Sequence, residues 1–260
     1  MNIYRQQTCC AGIPQYDNHK SKRCAIKIAC LFLAIANPIL THQYPRPIEG
    51  YYSQKGQDKF LNECIFNHKK TGFFVEIGAH DGVSFSNSYF FEKNLQWTGI
   101  CVEPNPNVFN TLQTNRNCIC EQICISDSHA KKPFLLCNGY MLEMYSGLLD
   151  TYDPRHLDRI YTEMNIFGGG KQIILIDCCT LKSLFEKHKV THIDFLSIDI
   201  EGGEKTALQS IDFAAVTIDV IVVENNFNET HLKEYLECQG YALKEHIGRD
   251  DIYIRKGYDA

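Results

Sequence analysis

The 260-residue chain lacks any long run of lysine or arginine, and its 26 basic residues are outnumbered by 31 acidic ones, giving a formal net charge of −5. Proteins that bind a nucleic-acid backbone need clustered positive charge to neutralise the phosphates. This composition therefore argues against nucleic acid as the main partner. It favours a small molecule, a sugar or a lipid head group as the ligand.

The chain also lacks an apolar run near its N-terminus that approaches the roughly 20 residues needed to span a bilayer. The run Ile28–Ala36 follows four basic residues and ends before Asn37-Pro38. Its length is typical of a signal-peptide core, and its last three residues fit a small-x-small cleavage pattern. We predict that residues 1–52 form a signal or anchor segment with a linker, which implies a secretory or membrane-associated location. Membrane association through residues 24–40, or an amphiphilic helix on a cytoplasmic protein, is the alternative.

No CxxC…CxxC spacing occurs among the 13 cysteines, which argues against a structural zinc site. Their odd number does not fit a disulfide scaffold either. Cysteine is among the most often buried residue types. We therefore interpret Cys101, Cys120 and Cys124, which fall in predicted strands, as small core residues.

From position 53 onward, helical and strand patterns alternate, which is typical of a parallel sheet covered by helices on both faces. We predict one α/β domain over residues 53–260, with a mostly parallel seven-stranded sheet and an antiparallel terminal pair. Asn105-Pro106 supplies a helix start, with asparagine as N-cap and proline at the first helical position. A long insertion, roughly 128–190, precedes the fourth strand; its back half holds a strand at 172–177 and a helix begun by Thr180. The predicted sheet strands are 73–77, 99–103, 118–126, 193–199, 220–224, 241–246 and 251–255.

Polar residues follow the predicted parallel strands, at the edge where open α/β sheets bind ligands. Gly78 and Gly82 allow a tight turn and a close approach of the backbone to a ligand. Glu103 is placed to accept hydrogen bonds from two ribose hydroxyls. Asp127 is placed to reach an adenine amino group. The predicted cofactor-binding residues are Glu76, Gly78, Ala79, Asp81, Gly82, Glu103, Pro104, Ser126, Asp127 and Asp199.

The loop after the first strand lacks the G-x-G-x-x-G pattern of dinucleotide sites. Glu76 stands at its first position, and Asp81 lies near where the phosphates would be. Negative side chains repel a pyrophosphate but suit the sulfonium and amino group of S-adenosylmethionine (SAM). The sequence therefore favours SAM over NAD as cofactor and disfavours a nicotinamide-dependent oxidoreductase.

Four motifs stand in order along the chain, at Phe74–Gly82, Cys101–Pro106, Cys124–Asp127 and Ile193–Glu204. Together they resemble the FkbM family of SAM-dependent methyltransferases over about residues 53–255. The resemblance implies a Rossmann-like class I SAM-dependent methyltransferase fold and O-methylation of a hydroxyl on a sugar, glycan or other small-molecule acceptor. It also implies that the glycine-rich loop and Glu103 hold SAM. The family's Asp-x-Glu-Gly-x-Glu motif, which lies beside the cofactor, matches Asp199, Glu201 and Glu204.

Methyl transfer to a hydroxyl requires a group that removes the acceptor's proton. We hypothesise that Asp199 or Glu201 is this base, with Glu224 and Asn225 completing a polar wall on the neighbouring strand end. His156 from the insertion is an alternative base. We assign no metal, although Mg²⁺ held by the carboxylates at 199, 201 and 224 is an alternative, since it prefers oxygen ligands.

The opening of the domain, Ser-Gln-Lys-Gly-Gln-Asp at 53–58, resembles a eukaryotic branch of the family that includes a membrane-bound trafficking factor. A non-catalytic, membrane-tethered trafficking or adaptor protein that keeps the fold is therefore the second hypothesis. The intact set of ligand-side residues argues against it, because a degenerate site would tolerate losses there. That set is Gly78, Asp81, Gly82, Glu103 and Asp199.

Overall fold

The computed structural model describes residues 48–139 and 141–259. The predicted signal or anchor run and its cleavage pattern lie outside the described residues. Strands are numbered in chain order. They are β1 (Phe73–Ile77), β2 (Thr98–Val102), β3 (Ile119–Glu121), β4 (Cys124–Ile125), β5 (Ala130–Asn138), β6 (Gly147–Leu148), β7 (Gly170–Cys179), β8 (His192–Ile198), β9 (Thr217–Glu224), β10 (Tyr241–Ile247) and β11 (Asp250–Arg255).

The main sheet has seven strands in the order β10-β11-β9-β8-β1-β2-β3. Strand β1 lies inside the sheet, next to the central strand β8. Val75 of β1 pairs with Ile100 of β2 on one side and with Leu196 of β8 on the other, both in parallel. Strand β11 runs antiparallel to both of its neighbours. The predicted mostly parallel seven-stranded sheet with an antiparallel terminal pair is confirmed.

Helices cover both faces of this sheet because successive strand residues point to opposite sides. On β1, Phe74 packs with Leu61 and Phe91, whereas Val75 packs with Leu184 and Leu208. The described helices are α1 (Gln57–Phe60, continued by a π turn over Leu61–Ile65), α2 (Tyr89–Leu95), α3 (Pro106–Asn115), α4 (Pro154–Phe167), α5 (Leu181–His188), α6 (Glu204–Gln209) and α7 (Thr230–Cys238). None of them is long and apolar enough to cross a membrane.

Side-chain caps start three of these helices. The side chain of Asn105 accepts a hydrogen bond from the Asn107 N–H, and that of Thr180 accepts one from Ser183, as predicted. Asp153 caps α4 in the same way, followed by a proline at the first helical position. The sequence holds an Asp-Pro start signal before α4, similar to the Asn-Pro signal before α3. The helix was not predicted, because the middle of the insertion shows no clear strand pattern beside that signal.

The predicted third strand, 118–126, is wrong as a single element. Its first half forms β3, where Cys120 pairs with Cys101 of β2. Its second half forms β4, where Cys124 pairs with Cys178 of β7 in a separate four-stranded sheet ordered β4-β7-β5-β6. Both halves are apolar, so the sequence pattern does not reveal that the chain changes sheets between them.

The insertion therefore forms its own small sheet and contributes α4. It packs against the segment that follows β8. At Gly202, whose φ is +114°, an added Cβ would lie 2.6 Å from the carbonyl oxygen of Thr151. Only glycine fits such a close approach of two backbones. This contact holds the insertion beside the carboxyl end of the central strands.

Candidate active site

The loop after β1 is tied to the end of β2. The N–H groups of Gly78 and Ala79 both donate to the carbonyl of Val102, at 2.9 and 3.0 Å. Gly78 has a φ of +85°, and an added Cβ would lie 1.8 Å from the Asp199 carbonyl oxygen. Only glycine therefore fits at position 78, because a side chain there would collide with the end of β8. The predicted approach of Gly78 to a cofactor stays a prediction.

Glu103, just after β2, faces this loop with a buried carboxylate. One of its oxygens accepts from the His80 N–H at 2.8 Å, and the other from the Asn105 N–H at 2.7 Å. Burial raises the pKa of Glu103. Each carboxylate oxygen has a second acceptor position. The residue thus fits the predicted role of binding a ribose diol. The nearby His80 is partly buried, and its Nδ1 lies 3.7 Å from a carboxylate oxygen of Asp81.

Asp81 turns its carboxylate back onto its own loop. It accepts hydrogen bonds from the N–H groups of Val83 and Ser84 and from the Ser84 hydroxyl, at 2.7–2.9 Å. Burial opposes ionisation of this carboxyl, but these hydrogen bonds and His80 outweigh it and hold its pKa well below the usual range. Asp81 therefore carries a negative charge beside the loop. Such a charge suits the sulfonium of SAM and repels a pyrophosphate.

The side chain of Glu76, a predicted cofactor contact, is already bound by other residues of the protein. Its buried carboxylate accepts from Ser86, Asn87 and Ser88, and lies 3.3 Å from the guanidinium of Arg116. These donors occupy both oxygens from within the protein. Glu76 thus supports the loop from below, and a direct contact with the cofactor stays a prediction.

The remaining predicted cofactor residues lie around the same edge of the sheet. Ser126 follows β4, and its N–H donates to the carbonyl of Cys179. The Asp127 side chain is largely exposed and pairs with Lys132 at 3.0 Å, so its predicted contact with adenine also stays a prediction. Ala79 is buried and Pro104 is partly buried.

Three carboxyl groups converge at the ends of β8 and β9. Carboxylate oxygens of Asp199, Glu201 and Glu224 all lie within 4.8 Å of one another. Asp199 is exposed at the surface, although the surrounding protein still desolvates its carboxyl group. Burial, with neighbouring acids such as Asp250, raises its pKa to about 7. The same causes raise the pKa values of the other two carboxyls well above their usual range. We name these three residues the acidic cluster.

His156, on α4 of the insertion, reaches the acidic cluster. Its Nε2 lies 3.0 Å from an Oε atom of Glu201, although the two are not aligned as a hydrogen bond. Burial and the positive charge of Arg159 lower the pKa of His156 to about 4, so the imidazole is neutral at pH 7. Glu201 itself has a φ of +61°, a conformation that non-glycine residues rarely adopt and that concentrates at functional sites. The structure thus brings all three predicted catalytic residues together.

Sequence reasoning missed Arg116, which follows α3. Its side chain is fully buried, pairs with Glu92 at 2.7 Å, and donates to Ser88 and to the carbonyl of Gly82. The signal available in the sequence was the acid on strand β1, since a buried carboxylate needs a counter-charge. Nothing in the sequence identified which arginine supplies it.

The sheet order, the acid after β2 and the acids after β8 together define a Rossmann-like class I methyltransferase fold. The chain belongs to the methyltransferase FkbM domain family, whose model matches residues 76–243. The suspected family is thereby confirmed, and the chain is a SAM-dependent methyltransferase with SAM as its cofactor. No curated protein gives a significant match.

Several solved structures are similar to this chain. One is TrmK of M. capricolum in complex with S-adenosyl-homocysteine, at 10% identity and a TM-score of 0.40, covering 78% of this chain and 69% of that chain. Another is a TehB-like SAM-dependent methyltransferase from Corynebacterium glutamicum, at 10% identity and 0.40, covering 92% and 100%. A third is precorrin-6y C5,15-methyltransferase from Geobacter metallireducens, at 13% identity and 0.39, covering 76% and 85%.

Proposed function

We propose that this methyltransferase acts on oxygen, methylating a hydroxyl of a sugar, a glycan or another small polar acceptor. The observation that carries the proposal is the acidic cluster at the ends of β8 and β9. A hydroxyl is a weak nucleophile that must lose its proton during attack, whereas an amine attacks with its own lone pair. Convergent carboxylates beside the cofactor loop suit the removal of that proton.

The chain's own residues divide the work. SAM, when bound, supplies an electrophilic methyl group on its sulfonium. Glu103 and the loop after β1 would hold its ribose and methionine ends. Alignment of the acceptor oxygen contributes about 7–11 kcal/mol in favourable cases. The residues of the insertion that lie beside the acidic cluster would provide this alignment. Asp199, the solvent-accessible member of the acidic cluster, is our candidate for receiving the acceptor's proton.

The acceptor side of the site is polar, which supports a hydroxyl-rich substrate. On the insertion, the guanidinium of Arg159 donates to the Tyr145 hydroxyl at 2.6 Å and pairs with Glu163. His156 packs beside the rings of Tyr145 and Tyr152.

Thermal unfolding of the full chain with SAM, S-adenosylhomocysteine (SAH) or NAD at equal concentrations tests the cofactor. We expect SAM and SAH to raise Tm, since a ligand at 100 times its Kd stabilises by about 2.7 kcal/mol. NAD should leave Tm unchanged. A mass-spectrometric screen for methyl addition then follows, beginning with sugars. Unchanged Tm with all three ligands would instead support the non-catalytic trafficking alternative.

Glu103→Gln tests the ribose contact. The amide keeps the size of the side chain but loses the negative charge and one of two acceptor oxygens. A hydrogen bond to a charged group contributes about 1.5–3 kcal/mol, so we expect SAH affinity to fall about 10- to about 100-fold by calorimetry. Glu186→Gln, at an exposed position of α5, is the matched control. Equal SAH affinity in both variants would contradict the assignment.

A further inference from the structure

The acidic cluster combines more negative groups than the surrounding protein neutralises. Asp199 and Glu201 follow β8, and Glu224 ends β9, so two adjacent parallel strands direct three carboxyl groups to one point. Glu204 and Asp250 add two further acids close to the cluster. Like charges at such distances repel strongly unless they are protonated or share a cation.

The arginines nearby are directed to other partners. Arg249 donates to the side chain of Asn226 at 2.9 Å, and Arg159 pairs with Glu163 at 3.0 Å. Neither arginine forms an ion pair with the cluster among the described residues. Within that part of the chain, no lysine or arginine contacts the cluster directly.

Several buried polar atoms around the cluster lack hydrogen-bond partners among the described residues, which is a second and independent observation. His156 is 3% exposed, and its Nε2 has no hydrogen-bond partner although it faces Glu201. One carboxylate oxygen of Glu201 and one of Glu224 are also buried and without a partner. Buried polar groups almost always have partners, so unpaired atoms at one point require an explanation, and a bound ion is one of the usual ones.

A second group of acidic side chains in the molecule differs from the acidic cluster, because its carboxylates already pair with cations. His192, Asp194 and Asp219 also converge. There, however, Lys69 pairs with Asp194 at 2.6 Å, and Arg255 pairs with Asp219 at 2.8 Å. Those carboxylates already have cations in direct contact, so that group is an ion-pair network.

We propose that the acidic cluster binds one divalent cation of the Mg²⁺ or Mn²⁺ type through Asp199, Glu201 and Glu224. Carboxylate oxygens are the ligands that these hard ions prefer. His156 is a positioning residue, because its Nε2 lies 3.0 Å from a carboxylate oxygen of Glu201 and limits where that carboxylate can lie. Such outer partners orient the ligands of a metal site. This reverses our sequence prediction that the chain uses no metal.

The inference rests on the proposed function and deepens it, because the cation would bind the acceptor hydroxyl and make it more acidic. The acceptor oxygen then forms the new O–CH₃ bond as the S–CH₃ bond breaks. The bonding electron pair returns to sulfur, which leaves SAH. The acceptor's proton passes to a nearby carboxylate and then to solvent.

The test uses the full chain stripped of metal by chelation and titrated with Mn²⁺, followed by electron paramagnetic resonance with and without SAH. We expect one saturable Mn²⁺ per chain, displaced by Mg²⁺. Glu224→Gln should abolish saturable binding, whereas Glu237→Gln, at an exposed position of α7, should leave it intact. His156→Leu should weaken Mn²⁺ affinity about 10- to about 100-fold, and His156→Gln, which retains a donor for Glu201, should recover part of it.

The outcomes separate the cation site from the proposed function. Absence of saturable Mn²⁺ binding in a protein that binds SAH would overturn the cation site alone, and the SAM sulfonium and amino group would then be the charges that balance the cluster. Mn²⁺ binding that Glu224→Gln leaves unchanged would also overturn it. Mn²⁺ binding in a protein that does not bind SAH would support the cation site and contradict the proposed function.

Discussion

Replacement of Asp199 by asparagine is expected to lower kcat by about 10²- to about 10⁴-fold, the range that a positioned general base contributes. Asparagine preserves the size of the side chain and the hydrogen bond from the N–H of residue 199 to the Ile77 carbonyl. It cannot receive the acceptor's proton. It also removes one ligand of the proposed cation. Loss of the chemical step should therefore exceed any loss of SAH binding.

The measurement is steady-state SAH production with the acceptor found by the screen, paired with calorimetric SAH affinity. Asp177→Asn is the matched control, because that aspartate is exposed on the insertion's strand β7, where it pairs with Lys131 at the surface. Full turnover in Asp199→Asn with intact SAH binding would refute the base assignment. Glu201 and His156 would then be the remaining candidates.

Replacement of Arg116 by methionine is expected to reduce the free energy of unfolding by about 3–5 kcal/mol, the usual cost of removing one partner from a buried ion pair. Methionine fills much of the same volume, so the loss is mainly electrostatic. It leaves the buried carboxylates of Glu76 and Glu92 without the Arg116 charge, although Glu92 keeps its pair with Lys93 at 2.9 Å. It also removes a donor to the Gly82 carbonyl, so SAH affinity should fall as well.

Chemical denaturation of the two proteins measures this effect. Lys131→Met, in an exposed pair, is the control and should change stability by about 1 kcal/mol or less. A similarly small change in Arg116→Met would contradict the network's structural role.

The pH dependence of the Arg116→Met effect follows from Glu92. Burial opposes its ionisation, but Arg116 prevails and lowers its pKa from 4.5 to about 2. A depressed carboxyl pKa stabilises the folded state above about pH 4.5, and this contribution is lost as the pH falls toward 2. The variant lacks the part of this contribution that Arg116 supplies, so the difference in unfolding free energy between the native protein and the variant should narrow as the pH falls below about 4.5.

Much of the fold was predictable because its signals are local. Strand β1 is predicted to the residue, and the caps at Asn105 and Thr180 begin their helices as expected. Hydrophobic periodicity and capping depend on neighbours within a few positions, so one sequence is enough to show them. The break between β3 and β4 was not predictable, since it depends on two separate sheets competing for one apolar stretch.

The sequence by itself determined which chemical groups stand at the edge of the sheet. The carboxyl ends of parallel strands meet at one edge, so a residue that follows a strand, such as Glu103 or Asp199, has its place as soon as the strand is recognised. The tertiary structure alone decided how those groups are paired. It engaged Glu76 with Arg116, brought His156 from the insertion to Glu201, and gathered the three carboxyl groups of the acidic cluster at one point. Such pairings depend on packing between segments far apart in the chain, which local patterns do not encode.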